Sequence, residues 1–472
     1  MRRGRATGPV VVGLDVATAH VRAVAVDAED GAVLASASGD LPTPVDTPDG
    51  GRRQDAAYAQ VALAVLGRLA DALGRDAGAV RAVATTATSG TVVPCAADGS
   101  ALGPALLYND RSTAAEEAHL RAAGTGDRPI AALARMGRLH RDAPAARYGS
   151  PADVVAAALV GGPVAADTSH HLKAGIDPVA RAWPAEAAVL GLPGDALPPL
   201  VRPGEVLGEV AATLARRLGF AAGVVVVAGM TDGCTAQIAT GAVGTGDSVG
   251  VLGTTLVLKA VADQRVEDAA TGVYSHLAPD GRHWPGGASN TGAGVLADGR
   301  DLAALDAAVA ALDPGTLRRI APVYPLTGRG ERFPFADPGF AGLPGAAAGP
   351  VPAHAAVLLG VAHVERLALD VMRRAGVHPV RHLVAGGAAR SDVWNALRAA
   401  VLPVPVLRPV RQDSAFGAAV LAAAGGGAGP FDEVVARLAG APVPVAPHPA
   451  VDAAEEDHAE FLARLRAAGA AV

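Results

Sequence analysis

Two carboxylates and a pair of hydroxyls stand in this sequence where phosphoryl-transfer chemistry needs them. Asp232 lies in Gly229-Met230-Thr231-Asp232-Gly233-Cys234, directly after an apolar run over 223–228 whose four valines, 224–227, read as a buried strand. The C-terminal end of such a strand is where α/β proteins bind ligands, and a carboxylate in the turn there is placed to act as a general base. Thr-Asp-Gly is equally an ordinary turn, so Asp232 gains weight only from its company. Transfer of a phosphoryl group asks for donors around a polyphosphate, a carboxylate for hydrated magnesium, and a base that orients the attacking hydroxyl. Asp15, in Gly13-Leu14-Asp15-Val16-Ala17-Thr18, follows another strand and supplies the carboxylate, holding magnesium through water. Gly253-Thr254-Thr255 offers amides and hydroxyls to phosphate oxygens, although either segment taken alone reads more readily as a structural hairpin turn. A fourth segment, Gly386-Gly387-Ala388-Ala389-Arg390-Ser391, runs from a strand into a helix that contains Trp394. Small residues there let a flat base or ribose lie against the backbone, and Ser391 caps the helix.

The elements that must position these residues come twice. Strand-like runs over 10–14, 21–26 and 32–37 alternate with turns. A helix over 55–73 follows, with Val61, Val65, Leu66 and Leu69 at helical spacing, and then a strand over 80–86. A first strand that leads into a hairpin and not into a helix sets this apart from a nicotinamide-type Rossmann unit. The same order returns as a strand over 248–252, the turn at 253–255, a strand over 256–261, a helix over 353–375, a strand over 382–385 and a helix from about Ser391. Two related halves predict duplicated α/β domains facing one another across a cleft. The proline-rich stretches 322–338 and 343–352 read as connecting loops, 441–449 as an extended tail, and 453–468 as a terminal surface helix.

Composition narrows the function classes. At 472 residues the chain is too long for one ordinary core. Lys and Arg total 40 against 46 Asp and Glu, and with only seven Phe, five Tyr and three Trp there is no basic, aromatic-studded stripe for nucleic acid. Arg2, Arg3 and Arg5 precede an apolar stretch in the manner of a signal peptide, but Asp15 interrupts it, and no apolar run is long enough to span a bilayer. Cys95 and Cys234 make no disulfide framework or zinc site, so a reducing cytoplasm is the economical location. Cys234 reads as a small packed side chain. His170 and His171 are adjacent, diverge on any regular element and cannot chelate one ion, while His140, His276, His283 and His363 are scattered; structural roles are the default for all of them.

Taken in order, Gly-Leu-Asp-x-x-Thr at Asp15, Thr-Asp-Gly at Asp232, Leu-Gly-Thr-Thr at Thr254, Gly-Gly-Ala-x-x-Ser-x-x-Trp at Trp394 and Ser-Ala-Phe-Gly-Ala-Ala at Gly417 resemble the FGGY carbohydrate kinases. These are ATP-dependent sugar kinases of the actin/hexokinase/Hsp70 superfamily, and the resemblance covers residues 9 to about 425. It implies an α/β fold of two actin-like (ribonuclease H-like) domains flanking a nucleotide-binding cleft. Residues 9–246 would form the sugar-binding domain, 247–440 the nucleotide-binding domain, and 441–472 a tail with a surface helix. Four loops, Thr88-Ser89-Gly90-Thr91, Leu107-Tyr108-Asn109-Asp110-Arg111, Gly272-Val273-Tyr274-Ser275-His276 and Gly286-Gly287-Ala288-Ser289-Asn290-Thr291, resemble the D-ribulose kinases of cyanobacteria and plant plastids. Xylulokinases usually carry Met-His-Gly where this chain has Thr88-Ser89-Gly90.

The resemblance implies phosphorylation of the terminal hydroxyl of a small ketose, D-ribulose foremost, with a xylulokinase or another pentulose or polyol kinase as the alternative. Asp232 and Asp15 would be catalytic, and both would line the sugar site with Ser89 and Asp110. Against this, Ser89 also reads as a cap on the next turn and Asp110-Arg111 as a surface ion pair. ATP would meet Thr18, Gly253, Thr254, Thr255, Gly386, Gly387, Ala388, Ser391 and Trp394, with Mg2+ held at Asp15 through water. The expected partners are a small sugar and ATP, with no nucleic acid and no membrane, and a homodimer is left open. Ala17, Ala19 and Ala388 stand where the family usually has Gly, Ser or Thr, and Gly, and Asp413 where it has Glu. Alanine at a site needing positive φ costs about 1–2 kcal/mol and a missing hydroxyl removes a phosphate donor. Weakened ATP binding, and with it a pseudokinase that regulates by binding sugar or nucleotide, is therefore the rival from another class.

Overall fold

The computed structural model describes residues 6–297, 299–451 and 454–472. The basic residues Arg2, Arg3 and Arg5, and Ala453 at the start of the expected terminal helix, lie outside them. The chain divides into two compact units, one made of residues up to Ala239 with His276–Gly281 and Arg411–Gly440, the other of Thr240–Ser275, Arg282–Val410 and Ala441–Val472.

The first unit is built on a six-stranded sheet whose order is Val206–Glu209, Val225–Val227, Val80–Ala87, Val10–Val16, His20–Asp27 and Val33–Asp40. Val10–Val16 runs parallel to Val80–Ala87 and antiparallel to His20–Asp27, and all seven of its residues are buried. That burial explains why it reads as a continuous valine-rich run and not as an alternation. Helix Tyr58–Leu73 covers one face with Tyr58, Ala62, Val65, Leu66 and Leu69, an i, i+3/i+4 stripe. Helix Ser414–Gly425 covers the other, and Gly13 makes that approach possible: a Cβ there would lie 1.9 Å from the Ala415 carbonyl oxygen.

The second unit repeats the plan. Its sheet runs Tyr274–Leu277, His283–Ala288, Leu256–Ala260, Asp247–Leu252, Arg381–Ala385, Val406–Arg408, Val443–Pro444. Asp247–Leu252 again pairs antiparallel with the next strand and parallel with the strand that follows a long helix, here Pro350–Arg374. A hairpin leading into a strand, helix and parallel strand thus occurs once in each unit, and the expected duplication is present at the level of topology. Helix Ala454–Ala467 packs Phe461 and Leu465 into this unit's core.

The chain passes from one unit to the other after residues 239, 275, 281, 410 and 440. Residues 411–440, expected with the nucleotide-binding domain, belong to the first unit because helix Ser414–Gly425 packs on its sheet, and 441–472 belongs to the second. No helix among the described residues is long and apolar enough to cross a membrane. Both cysteines are buried free thiols.

Candidate active site

Sheet register brings the two catalytic candidates to one edge of the first unit. Asp15 pairs with Thr86 and Val16 with Ala87, while Ala87 bridges Thr231 in parallel on its other side. Asp15, the Thr88-Ser89-Gly90 loop and Asp232 therefore leave three neighbouring strands at the same end, Asp15 and Thr231 two strand spacings apart, or about 10 Å. Asp232 differs from its expected setting in one respect: it is the first residue of helix Asp232–Thr240, not a turn residue. Its Oδ1 accepts the Gly233 N–H at 2.7 Å, and its backbone carbonyl accepts the hydroxyl of Ser414 at 3.2 Å. A carboxylate at a helix N-terminus faces the positive end of the helix dipole, which favours its ionised form.

Asp15 has the opposite environment. Burial, then the nearby carboxylates of Asp232 and Asp413, push its pKa up to about 7, with Arg22 acting against them. Asp413 reaches this cluster because it caps helix Ser414–Gly425, accepting the Phe416 N–H at 3.2 Å, while its other oxygen takes a hydrogen bond from Arg22 at 2.6 Å. The Oδ1 of Asp15 is buried with no hydrogen-bond partner. An orphaned buried carboxylate oxygen among acidic neighbours is the donor chemistry that suits a hydrated divalent cation. Among the described residues no group of three or more His, Cys, Asp or Glu is arranged to hold a metal ion directly.

The Ser89 hydroxyl is likewise buried and without a partner. Asp110 is buried too, but its carboxylate is engaged: one oxygen accepts the Arg52 N–H at 2.6 Å and the other accepts from the Ser112 N–H and hydroxyl at 3.0 and 2.7 Å. It makes no ion pair with exposed Arg111, so the surface-pair reading fails. The two loops are tied by a residue the sequence did not single out. The guanidinium of Arg135, buried in helix Ala131–Asp142, donates to the carbonyls of Gly90, Tyr108 and Asp110 at 3.1, 2.7 and 3.2 Å. Lys173 lays its stem over Gly90, its Cδ 3.3 Å from where a Cβ would stand. Neither residue carries a motif, and only the fold brings them beside Ser89.

In the second unit, Val251 pairs with Ala385, so the Gly253-Thr254-Thr255 and Gly386-Gly387-Ala388 turns leave adjacent parallel strands. Gly386 has φ +91°, and a Cβ there would lie 2.4 Å from the Leu252 carbonyl oxygen. Thr254 is exposed and Thr255 half-buried. Ser391 caps its helix as expected, its hydroxyl accepting the Trp394 N–H at 3.2 Å. Trp394 requires correction as a nucleotide contact: its ring is buried in the unit's core and its indole N–H donates to the Leu358 carbonyl at 3.0 Å. The helix stripe of Val393, Trp394 and Leu397 turns inward.

Thr18 lies in the first unit's leading hairpin, with its carbonyl accepting from Gln54 at 2.7 Å. The strain expected at Ala17 is absent, since Arg181 is the only non-glycine residue with positive φ among the described residues. Ala17 instead donates its N–H to His20 across an ordinary hairpin at 3.1 Å. Ala388 is unstrained for the same reason.

Comparison with known proteins fits this arrangement. Residues 10–133 match the N-terminal domain, and 239–426 the C-terminal domain, of the FGGY family of carbohydrate kinases. A xylulose kinase of Staphylococcus epidermidis is 28% identical over 248 residues, and the match spans about half of each chain, 49% of this one and 49% of the relative. Among solved structures, a xyloylose kinase from Brucella ovis superposes with a TM-score of 0.87 at 24% identity over 97% of this chain and 99% of that one. A xylulose kinase from Rhodospirillum rubrum gives 0.83 at 26% identity over 97% and 98%.

Proposed function

The chain belongs to the FGGY family of carbohydrate kinases, and from that premise we propose that it transfers the γ-phosphoryl group of ATP to the terminal hydroxyl of a small ketose, D-ribulose foremost. The observation that carries the reading is the shared strand edge at which Asp15, the Ser89 loop and Asp232 emerge in register. Asp232 accepts the proton of the attacking hydroxyl, the oxygen of that hydroxyl bonds to the γ-phosphorus, and the bridging P–O bond breaks with its electron pair leaving on ADP. Asp15 would hold Mg2+ through water, and the ion would supply charge neutralisation on the phosphates. Thr18 and the Thr254-Thr255 turn are the proposed phosphate donors, with Gly386, Gly387 and Ala388 a surface for the rest of the nucleotide.

D-Ribulose is favoured by Thr88-Ser89-Gly90, whose buried, unpartnered serine hydroxyl would pair with a sugar hydroxyl. D-Xylulose is the second reading, favoured by the names of the related kinases. The relaxed backbone at Ala17 removes the strain argument for a pseudokinase, and the hydroxyl missing at Ala19 is the part of that reading that ATP titration tests. Steady-state ADP release over a panel of pentuloses, pentoses and polyols tests the proposal. Turnover is expected with a pentulose and greatest with D-ribulose; no turnover with any sugar would overturn the kinase reading, and preference for D-xylulose would overturn the assignment to D-ribulose.

A further inference from the structure

We propose that the buried loop Asp167-Thr168-Ser169-His170-His171 positions both halves of the sugar site, His170 setting the Ser89 loop and Ser169 setting the base Asp232. The inference rests on the roles given above to Ser89 and Asp232. Ala87, the last residue of its strand and two residues before Ser89, donates its N–H to His170 Nε2 at 3.0 Å. A backbone N–H only donates, so Nε2 is bare and the ring proton sits on Nδ1, shared with Asp167 Oδ2 at 2.6 Å. Burial works against an imidazolium at His170, while Asp167 and then Asp153 and Asp232 work for it and hold its pKa above the ordinary value; the Ala87 amide, which needs a bare Nε2, selects the neutral ring in this geometry.

The other arm of the loop reaches the base. Thr231, the residue before Asp232, donates its N–H to Ser169 Oγ at 3.2 Å, and the same hydroxyl lies 3.1 Å from His276 Nδ1. The loop is itself rigidly held. Asp167 Oδ1 accepts the N–H groups of Ser169 and His170 at 2.9 and 2.8 Å, and Thr168 donates its N–H to Val201 at 3.0 Å. His171 bonds Asp153 at 2.8 Å, the carboxylate that closes the capping box of helix Pro151–Val160. Asp167, Ser169, His170 and His171 are all buried, none at more than 3% exposure. Two of the five, His170 and Ser169, thus hold the amides of Ala87 and Thr231 that precede the sugar loop and the base, while Asp167 holds both of them in place. Ala87 and Thr231 are bridged to each other, so each lost bond is expected to disturb its own dependant most and the other less, and that graded split separates positioning from general support.

The test uses the full chain, saturating ATP and the best sugar of the panel. His170→Leu removes the acceptor and is expected to raise the sugar KM about tenfold while kcat stays within about threefold. His170→Gln keeps an acceptor near Nε2 and is expected to return KM to within about threefold of wild type. Ser169→Ala is expected to do the reverse, lowering kcat about tenfold with the sugar KM within about threefold, and the ATP KM is expected to be unchanged in all three. Amide exchange read by NMR on the free protein supplies the second measurement: His170→Leu should speed exchange at Ala87 and Ser169→Ala at Thr231. Kinetic losses that track thermal stability without the KM and kcat split, or unchanged exchange at both amides, would overturn the inference. Were the wild type to turn over no sugar, the functional reading would fail on its own, and the amide exchange would still decide whether the loop fixes these two strand ends.

Discussion

Asp232 and Asp15 sit at one end of the sheet in different settings, the first heading a helix and the second buried beside carboxylates, and that contrast separates their roles. Asp232 heads a helix, which suits a carboxylate that must be ionised to accept a proton. Asp232→Ala is expected to lower sugar-dependent turnover by about 10²–10⁴ while costing only about 0.3–1 kcal/mol of stability; a folded variant with half the wild-type rate would remove Asp232 as the base. Asp15 carries a different signature, because its pKa is raised to about 7 from the ordinary 3.8 by burial and by Asp232 and Asp413. The fold therefore holds a proton that the unfolded chain releases, and stability falls as pH rises from about 4 to about 7. Asp15→Asn removes that slope: its unfolding free energy is expected to equal that of wild type near pH 4 and to exceed it near pH 8 by an amount on the order of a few kcal/mol, read by denaturant unfolding at each pH. A gap that is constant with pH would show that folding leaves the Asp15 pKa unshifted. Both aspartates were legible in the sequence because each stands at the C-terminal end of a buried apolar run, Asp15 within the last two residues of its strand and Asp232 a few residues beyond its own. Arg135 and Lys173 were not, because a lone cation on a helix or loop has no pattern until the fold sets it over Gly90.

Strands and helices were read well where a single period ran long. Val10–Val16, the helix at Tyr58–Leu73 and the strand at Val80–Ala87 all fall within a few residues of expectation. Gly229 and Gly233 flank Asp232 and favour a turn in the sequence, yet the helix begins there, and short glycine-bearing segments carry little periodicity to tell the two apart. The leading hairpin shows the limit of arguing from residue type alone: Ala17 replaces a glycine, but its backbone is relaxed and its N–H is already bonded to His20. Ala17→Gly is therefore expected to leave ATP affinity within about twofold and to cost about 0.4–1 kcal/mol of stability, through added freedom of the unfolded chain. Isothermal titration of ATP against Ala17→Gly and Ala19→Ser separately checks this, since any tightening should appear with the new hydroxyl alone; a gain from the glycine would restore strain as an explanation. Gly13 is the contrary case. Its Cβ would lie 1.9 Å from the Ala415 carbonyl, so Gly13→Ala is expected to cost about 3 kcal/mol or more in chemical unfolding.

The two units share a hairpin-led sheet but use its central strand differently. Gly250 stands four residues into Asp247–Leu252 as Gly13 stands four residues into Val10–Val16, and Leu252 occupies the position that corresponds to Asp15. Only the first unit therefore carries a carboxylate at that strand end. The repeat was visible from the sequence because its turns are rich in Gly and Thr, but the use each unit makes of the central glycine was not. Around Gly250 the second unit packs an ion cluster into its core, and a Cβ there would lie 1.8 Å from Glu365 Oε1. Glu365, fully buried, accepts two hydrogen bonds from Arg398 at 2.7 and 2.6 Å and faces His382 at 3.0 Å, while Arg398 also donates to the Gly250 carbonyl at 3.1 Å. Burial pushes the Glu365 carboxyl up, but Arg398 and then His382 together outweigh it and hold the pKa at about 2. A carboxyl depressed in the fold stabilises above its unfolded value near 4.5, and that contribution is lost as pH falls toward 2. Glu365→Gln leaves Arg398 buried without its counter-charge and is expected to cost about 3–5 kcal/mol at pH 7. The deficit against wild type should shrink as pH is lowered below about 4.5, read by denaturant unfolding at each pH. An equal deficit at pH 7 and pH 3 would mean that packing around Gly250, and not the charge on Glu365, holds the second unit together.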